Sequence, residues 1–189
     1  MIRVGILGDI GSGKSYVSKN FGFPVFNADS EVAKLYKTNK KIYLELKKIL
    51  PNYFNSFPIQ KEDISNAILE NNNNLKKIIK VVHLEVQKKM RTFLKNNKNK
   101  KIVILDIPLL LENKINKKND ILIFVQSKKS EVTKRLNNRP NFNKKLFKKF
   151  KKIQLPLAYK KNKSQFIIKN DFTKRSVIKG IDKILNEIK

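Results

Sequence analysis

The chain has no cysteine and a single histidine, His83. Neither a disulfide nor a thiolate metal site can form, and a histidine-rich metal site is excluded with them. Acidic residues are scarce, with 15 Asp and Glu against 43 Lys and Arg and a formal net charge of +28. Arginine is scarce as well: only Arg3, Arg91, Arg135, Arg139 and Arg175 carry guanidinium groups, and every other basic residue is lysine. Proteins that read bases or clamp nucleic-acid phosphates rely on arginine's planar fork. Here lysine is instead spread along the whole chain among asparagines such as the run Asn71–Asn74, the signature of a compositional bias toward Lys, Asn and Ile. Nucleic acid is therefore not the expected partner, although the field would steer small anionic substrates. No apolar run approaches the ~20 residues of a membrane-spanning helix, and no signal-peptide apolar segment precedes the first element. A soluble, cytoplasmic protein without a membrane partner or an obligate protein partner is expected. With no internal repeat and no long Pro/Ser/Gly linker, 189 residues suit one α/β domain carrying a helical insertion.

What is present begins at residue 8. Gly8-Asp9-Ile10-Gly11-Ser12-Gly13-Lys14-Ser15 is a full G-x-x-x-x-G-K-S phosphate-binding loop. The apolar run Ile2–Leu7 before it reads as a buried strand, and Tyr16–Phe21 after it reads as the first turns of a helix. Glycines let the backbone wrap a phosphate so that successive N–H groups face its oxygens, and the helix N-terminus adds its dipole. Lys14 would bridge the β- and γ-phosphates, and the Ser15 hydroxyl would hold Mg²⁺. The chain is expected to bind a nucleoside triphosphate.

Strands are expected at Ile2–Leu7, Phe23–Phe26, Lys101–Asp106, Ile121–Val125 and Phe166–Lys169. Helices are expected at Lys14–Phe21, Ser30–Leu50 with a break near Thr38, Lys61–Leu69, Leu75–Leu94, Lys129–Asn137, Asn143–Gln154 and Thr173–Ile188. Alternation of apolar strands with helices predicts a five-stranded parallel sheet flanked by helices on both faces. Right-handed crossovers put the C-terminal ends of the strands on one edge, where Gly8–Ser15, Asn27–Asp29 and Asp106–Leu110 would meet. The largely helical stretch from about 40 to 94 is too long for a simple crossover and is expected to form a lobe. The basic segment 139–156, with Pro140 and Pro156, reads as a lid, leaving 1–39, 95–138 and 157–189 as the core.

Several residues at that edge could carry chemistry. Asp29, after Asn27-Ala28, could orient an attacking hydroxyl on the γ-phosphate, or it could simply cap the next helix. Asp106 ends an apolar strand in the manner of a Walker-B carboxylate and is a possible second Mg²⁺ ligand. Pro108 stops that strand and would turn apolar side chains toward a substrate, unless these merely pack the core. Arg135 and Arg139, four residues apart on one helix, could stack on adenine or neutralise the transferring phosphoryl, or pair with Glu131. His83, alone on its long helix, is on spacing alone more readily a structural residue.

Taken together and in order, these elements resemble the dephospho-CoA kinase family over nearly the whole chain. The match is carried by Gly8–Ser15, Asn27-Ala28-Asp29 (D-A-D in the family), His83-Leu84-Glu85-Val86 (H-P-x-V) and Asp106-Ile107-Pro108-Leu109-Leu110-Leu111-Glu112 (D-x-P-L-L-x-E). It continues through Arg135 to Arg139, Gln154-Leu155-Pro156-Leu157-Ala158-Tyr159-Lys160 (Q-x-P-x-x-x-K) and the strand Phe166 to Asn170. The resemblance implies a P-loop fold like that of nucleoside monophosphate kinases. It also implies ATP-dependent phosphorylation of the ribose 3′-hydroxyl of dephospho-CoA, giving coenzyme A and ADP. By it, Lys14, Asp29 and Arg139 are catalytic, and ATP is held by Gly8, Asp9, Ile10, Gly11, Ser12, Gly13, Lys14, Ser15 and Tyr16, with Arg139 on the lid side. Dephospho-CoA would meet Asp29, His83, Pro108, Leu109, Leu110 and Glu112, and the helical lobe would receive the coenzyme. The chain departs from the family pattern at Asn27 (Asp), Leu84 (Pro), Gln87 (Arg), Ser164-Gln165 (Ala-Asp) and Tyr16 (Thr). Another small-metabolite or nucleoside monophosphate kinase could share the loop but not the P-L-L-x-E and Q-x-P elements. A GTPase would need N-K-x-D near strand four, where Asn116-Lys117-Lys118-Asn119 ends in Asn. A basic nucleic-acid-binding protein is the alternative of a different class.

Overall fold

The computed structural model describes residues 1–140 and 142–188; Asn141, inside the expected lid, and Lys189 lie outside the described residues. Five strands, β1 (Ile2–Gly8), β2 (Val25–Asn27), β3 (Ile102–Asp106), β4 (Ile121–Gln126) and β5 (Phe166–Lys169), form one parallel sheet in the order β2-β3-β1-β4-β5. The helices are α1 (Lys14–Asn20), α2 (Ala28–Thr38), α3 (Lys40–Ile49), α4 (Lys61–Glu70), α5 (Asn72–Asn96), α6 (Lys129–Asn137), α7 (Lys144–Lys152), α8 (Leu157–Asn162) and α9 (Lys174–Ile188). The described residues group into two compact units. One comprises Met1–Asn27, Asn97–Phe142 and Ile153–Lys189, the other Ala28–Asn96 and Asn143–Lys152.

In the first unit the inner strands β1, β3 and β4 are mainly apolar and buried, as parallel sheets covered on both faces require, while Ile167 and Lys169 of the edge strand β5 are exposed. Alternation sends Val4 and Ile6 of β1, Ile102 and Ile104 of β3, Ile123 and Val125 of β4, and Ile168 of β5 into one core. That core is closed by Val17 of α1, by Phe21 after it, and by Val177, Ile181 and Ile184 of α9. The last three recur at i, i+4, i+7 and so share one helix stripe. On the opposite face Gly5 leaves a gap that Leu110 fills: a Cβ at Gly5 would lie 2.5 Å from Leu110 Cδ2. The strand order reverses around β1, so the loop after β1 leaves the sheet at its switch point, where open α/β sheets bind ligands.

The second unit is helical. Its longest helix, α5, packs against α2, α3 and α4, burying Leu35, Ile42, Leu46, Ile68, Leu75, Ile78 and Val82. α5 starts inside the asparagine run, earlier than hydrophobic periodicity suggests, because Asn71 Oδ1 accepts from Asn73 N and the buried Asn74 donates to Ala67 O. The unit begins at Ala28 rather than near residue 40, since α2 contacts α3 and α5. The expected lid is divided. α7 belongs to the helical unit, where Lys149 Nζ donates to Leu69 O at the end of α4. The following residues join the sheet unit and include α8, a helix that no hydrophobic pattern announced.

Candidate active site

The loop after β1 is held open by its glycines and closed on itself by lysine. Gly13 has φ +90° and precedes α1, whose first turn receives Val17 N on Gly13 O at 3.0 Å. Gly8, at φ +148°, leaves β1 where a Cβ would lie 2.8 Å from both Ser12 Oγ and Val125 O. Lys14 Nζ donates to Asp9 O at 2.7 Å and Gly8 O at 3.3 Å, so the ammonium spans the loop mouth. Asp9 Oδ1 accepts from Ile10 N, and Ser12 N donates to Asp9 O. The α6 side chains Val132 and Leu136 close against Gly11. Ser15 and Tyr16, in the first turn of α1, are exposed.

The strand-end carboxylate lies on β3, the strand beside β1. Asn27 and Asp106 are register partners on β2 and β3, so their side chains share one face of the sheet. Asn27 Nδ2 donates to Asp106 Oδ2 at 2.5 Å, and Asp106 is 2% exposed. Where the family pattern has a second carboxylate, this chain thus has a neutral donor that satisfies one oxygen of Asp106. Pro108 and Leu109 follow β3 and stay half-buried.

Two expected substrate contacts are internal instead. Leu110 is fully buried beneath Gly5 and packs the sheet. Gly5 was the signal, since a glycine inside an apolar strand marks a close approach. The carboxylate of Glu112 is engaged by Lys160 Nζ at 2.6 Å and by Leu155 N at 3.0 Å. That pair joins the P-L-L-x-E and Q-x-P-x-x-x-K elements within the sheet unit. It gives Glu112 and Lys160, the last residues of the two motifs, a structural role.

Arg135 and Arg139 do not share a helix. α6 ends at Asn137 and Arg139 lies beyond it, because a residue preceding proline, here Pro140, is driven out of the α region. Arg135 instead stacks over Phe172, its guanidinium carbon 4.5 Å from the ring centroid. Phe172 stands beside the phosphate loop, 3.6 Å from where a Gly13 Cβ would be, and was not anticipated from the sequence. Arg139 is exposed.

The other expected site residues are in the helical unit. Asp29 is exposed and lies in the first turn of α2, rather than ahead of it as a cap. His83, half-buried on α5, accepts from the Gln87 amide one turn on, with 2.8 Å between His83 Nε2 and Gln87 Nε2.

The dephospho-CoA kinase family model matches residues 2–175, which takes in every element just described except most of α9. The chain belongs to the dephospho-CoA kinase family. It is 32% identical over 190 residues to the dephospho-CoA kinase of Wolbachia sp. subsp. Brugia malayi (strain TRS), covering 98% of this chain and 97% of that one. In fold it is similar to the crystal structure of TT1252 from Thermus thermophilus, with a TM-score of 0.79 and 24% identity over 100% of this chain and 98% of that chain. It is also similar to the dephospho-CoA kinase from Campylobacter jejuni, with a TM-score of 0.62 and 22% identity over 98% and 96%. The family's activity makes the chain a kinase with ATP as a substrate.

Among the described residues no group of three or more His, Cys, Asp and Glu could enclose a metal, and no helix is long and apolar enough to cross a membrane. Mg²⁺ does not need such a cage. It binds through one or two protein oxygens, the substrate phosphates and several waters. The Ser15 hydroxyl and the Asp106 carboxylate have the right oxygen chemistry for that mode.

Proposed function

We propose that this chain transfers the γ-phosphoryl group of ATP to the ribose 3′-hydroxyl of dephospho-CoA, releasing coenzyme A and ADP. The family match over residues 2–175 carries this assignment, because it embraces the phosphate loop, the strand-end carboxylate and the helical unit in one alignment. In the reaction an O–P bond forms to the ribose 3′-oxygen as the bond to the β,γ-bridging oxygen breaks, and the hydroxyl proton passes to Asp29. A loose phosphoryl transition state asks the protein chiefly for positioning and charge stabilisation. The loop amides from Gly8 to Tyr16 cradle the triphosphate. Lys14 exchanges its contacts with Gly8 O and Asp9 O for phosphate oxygens, a trade of neutral acceptors for charged ones. Arg139 neutralises charge from the lid side, and Arg135 on Phe172 offers a flat cationic surface for adenine. Ser15 and Asp106 would hold Mg²⁺, which supplies charge neutralisation at the phosphates. Asp29 orients the acceptor hydroxyl, and His83, Pro108 and Leu109 contact dephospho-CoA. A cytoplasmic location fits this reading, with the two small-molecule substrates as partners.

The test is direct. Purified protein is incubated with Mg·ATP and dephospho-CoA, with AMP and shikimate as parallel acceptors, and the products are weighed by mass spectrometry. Coenzyme A formed from dephospho-CoA alone supports the assignment. Phosphorylation of another acceptor, or of none while ATP binds, overturns it.

A further inference from the structure

We propose that Ser127 and Asn170 are positioning residues that aim the phosphate loop, acting through a single backbone oxygen. The proposal rests on the loop binding the triphosphate as above, and it assigns the groups that set the loop's donor geometry. Strands β4 and β5 are register partners to their ends, Gln126 opposite Lys169, so the next residues, Ser127 and Asn170, emerge side by side. Asn170 N donates to Gln126 O at 2.8 Å and locks that juxtaposition. From there Ser127 Oγ donates to Ser12 O at 3.0 Å, and Asn170 Nδ2 donates to the same oxygen at 2.8 Å. Both lone pairs of the Ser12 carbonyl are thereby used. The amide of Asn170 can adopt only one orientation, because its Oδ1 accepts from Phe172 N at 2.9 Å.

The consequence follows from peptide geometry. In a planar trans peptide the N–H points opposite the C=O. Pinning Ser12 O outward toward β4 and β5 therefore turns the Gly13 N–H the other way, into the concavity of the loop. Hydrogen bonds to the carbonyl also polarise the unit and strengthen that N–H as a donor. The same clamp explains why residue 13 is glycine beyond its positive φ: a Cβ there would lie 2.4 Å from Asn170 Nδ2. Asn170 and Ser12 are 3% and 1% exposed, so the accepting carbonyl is held by these two donors out of contact with solvent, while Ser127 itself is half-buried.

The decisive variants are an isosteric pair. Ser127→Thr keeps the hydroxyl and Ser127→Val replaces it by a methyl of the same shape, so they differ only in the donor. Binding of Mg·ATP and of inorganic tripolyphosphate is measured by calorimetry, with thermal melts alongside and with KM for dephospho-CoA as the control for the acceptor side. Ser127→Val should weaken both ligands about three- to tenfold, as expected for losing one neutral hydrogen bond, with the KM for dephospho-CoA unmoved. Ser127→Thr should restore affinity to within about twofold. Asn170→Ala should weaken tripolyphosphate at least as much, and if it does not fold the Ser127 pair decides alone. Equal affinities in the Val and Thr variants overturn the clamp. A parent protein that binds neither ligand overturns the phosphate-loop assignment itself, which separates the two failures.

Discussion

Replacing Glu112 by Gln removes one negative charge and almost nothing else. The side chain keeps its shape, and the amide oxygen can still accept from Leu155 N. What remains is the Lys160 ammonium, 1% exposed, whose partner oxygen lay 2.6 Å away. Breaking a buried pair from one side typically costs about 3–5 kcal/mol, because the surviving charge keeps its desolvation penalty without compensation. The amide oxygen can accept from the ammonium, which puts the expected loss near the lower end, about 3 kcal/mol. For a chain of this size about 2–4 °C of Tm accompanies each kcal/mol, so Glu112→Gln should melt about 6–12 °C lower. Adding Lys160→Met removes the stranded charge and should recover most of that loss, since neutral replacements of buried pairs are often near-isoenergetic. Glu112 Oε2 is buried without a hydrogen-bond partner among the described residues, which further limits the net worth of the native pair.

Thermal melts by circular dichroism on the parent, both single variants and the double variant close the cycle. At 20 °C, where the Gln variant is folded, KM for dephospho-CoA should match the parent. A Tm within about 2 °C of the parent, or a double variant no more stable than Glu112→Gln, would refute the buried-charge account. A raised KM with an unchanged Tm would return Glu112 to the substrate surface.

Asp29→Asn should lower kcat about 100-fold while the Kd for ATP stays within about twofold, because only the hydroxyl loses its acceptor; near-normal turnover would remove Asp29 from the mechanism. Asn27→Asp sets a second carboxylate against Asp106 and removes the donor to its Oδ2, so without metal the Tm should fall by the equivalent of about 1–3 kcal/mol. Mg²⁺ should recover that loss far more than it stabilises the parent, and identical Mg²⁺ dependence of the two melts would contradict the placing of a cation there. Hydrogen bonds from Ser176 Oγ, then from Thr173 Oγ1 and N, hold the Asp171 carboxyl down to about 2 from 3.8. A depressed carboxyl stabilises the fold fully above its unfolded value and loses that contribution as pH falls through its folded one. The stability gap between the parent and Asp171→Ala should therefore be constant from pH 7 to 5 and close between about 4 and 2, and a gap unchanged at pH 2 would contradict this.

The sheet was legible because its inner strands are buried on both faces, and each apolar run stands out against a lysine-rich background. The phosphate loop was legible because its spacing is fixed by the ligand's geometry rather than by packing. What escaped depends on partners distant in sequence. Lys160 stood out only as the last residue of Q-x-P-x-x-x-K, and nothing in that motif names Glu112 as the carboxylate that draws it inward. Its helix α8 is only six residues, too short for a periodic signal. Ser127 is a hydroxyl at a strand end like any other until Asn170 brings the neighbouring strand's edge beside it. The assignments of Leu110 and Glu112 to substrate treated a motif as though every residue in it faced the ligand. In the fold Pro108 and Leu109 stay accessible, while Leu110 and Glu112 turn inward to hold the loop that bears them.

The few arginines sharpen this distinction between charge and geometry. A bias that fills basic positions with lysine leaves arginine where an ammonium cannot substitute. Arg3 is buried; its Nη2 donates to Asp120 Oδ2 at 2.9 Å and reaches Ile115 O, both in the connection between β3 and β4. A lysine at that site would bring a compact, strongly hydrated charge into a place where burial already pushes the Asp120 carboxyl up. Arg135 lies flat on Phe172, a contact that depends on a delocalised planar cation rather than on a point charge. The net charge of +28 therefore says little about what the protein does, whereas Arg135 on Phe172 marks a position where shape is used. Arg135→Lys should then impair ATP binding although the charge is conserved, while lysine-to-glutamine changes on the exposed face of α7 should alter mainly the salt dependence of substrate association.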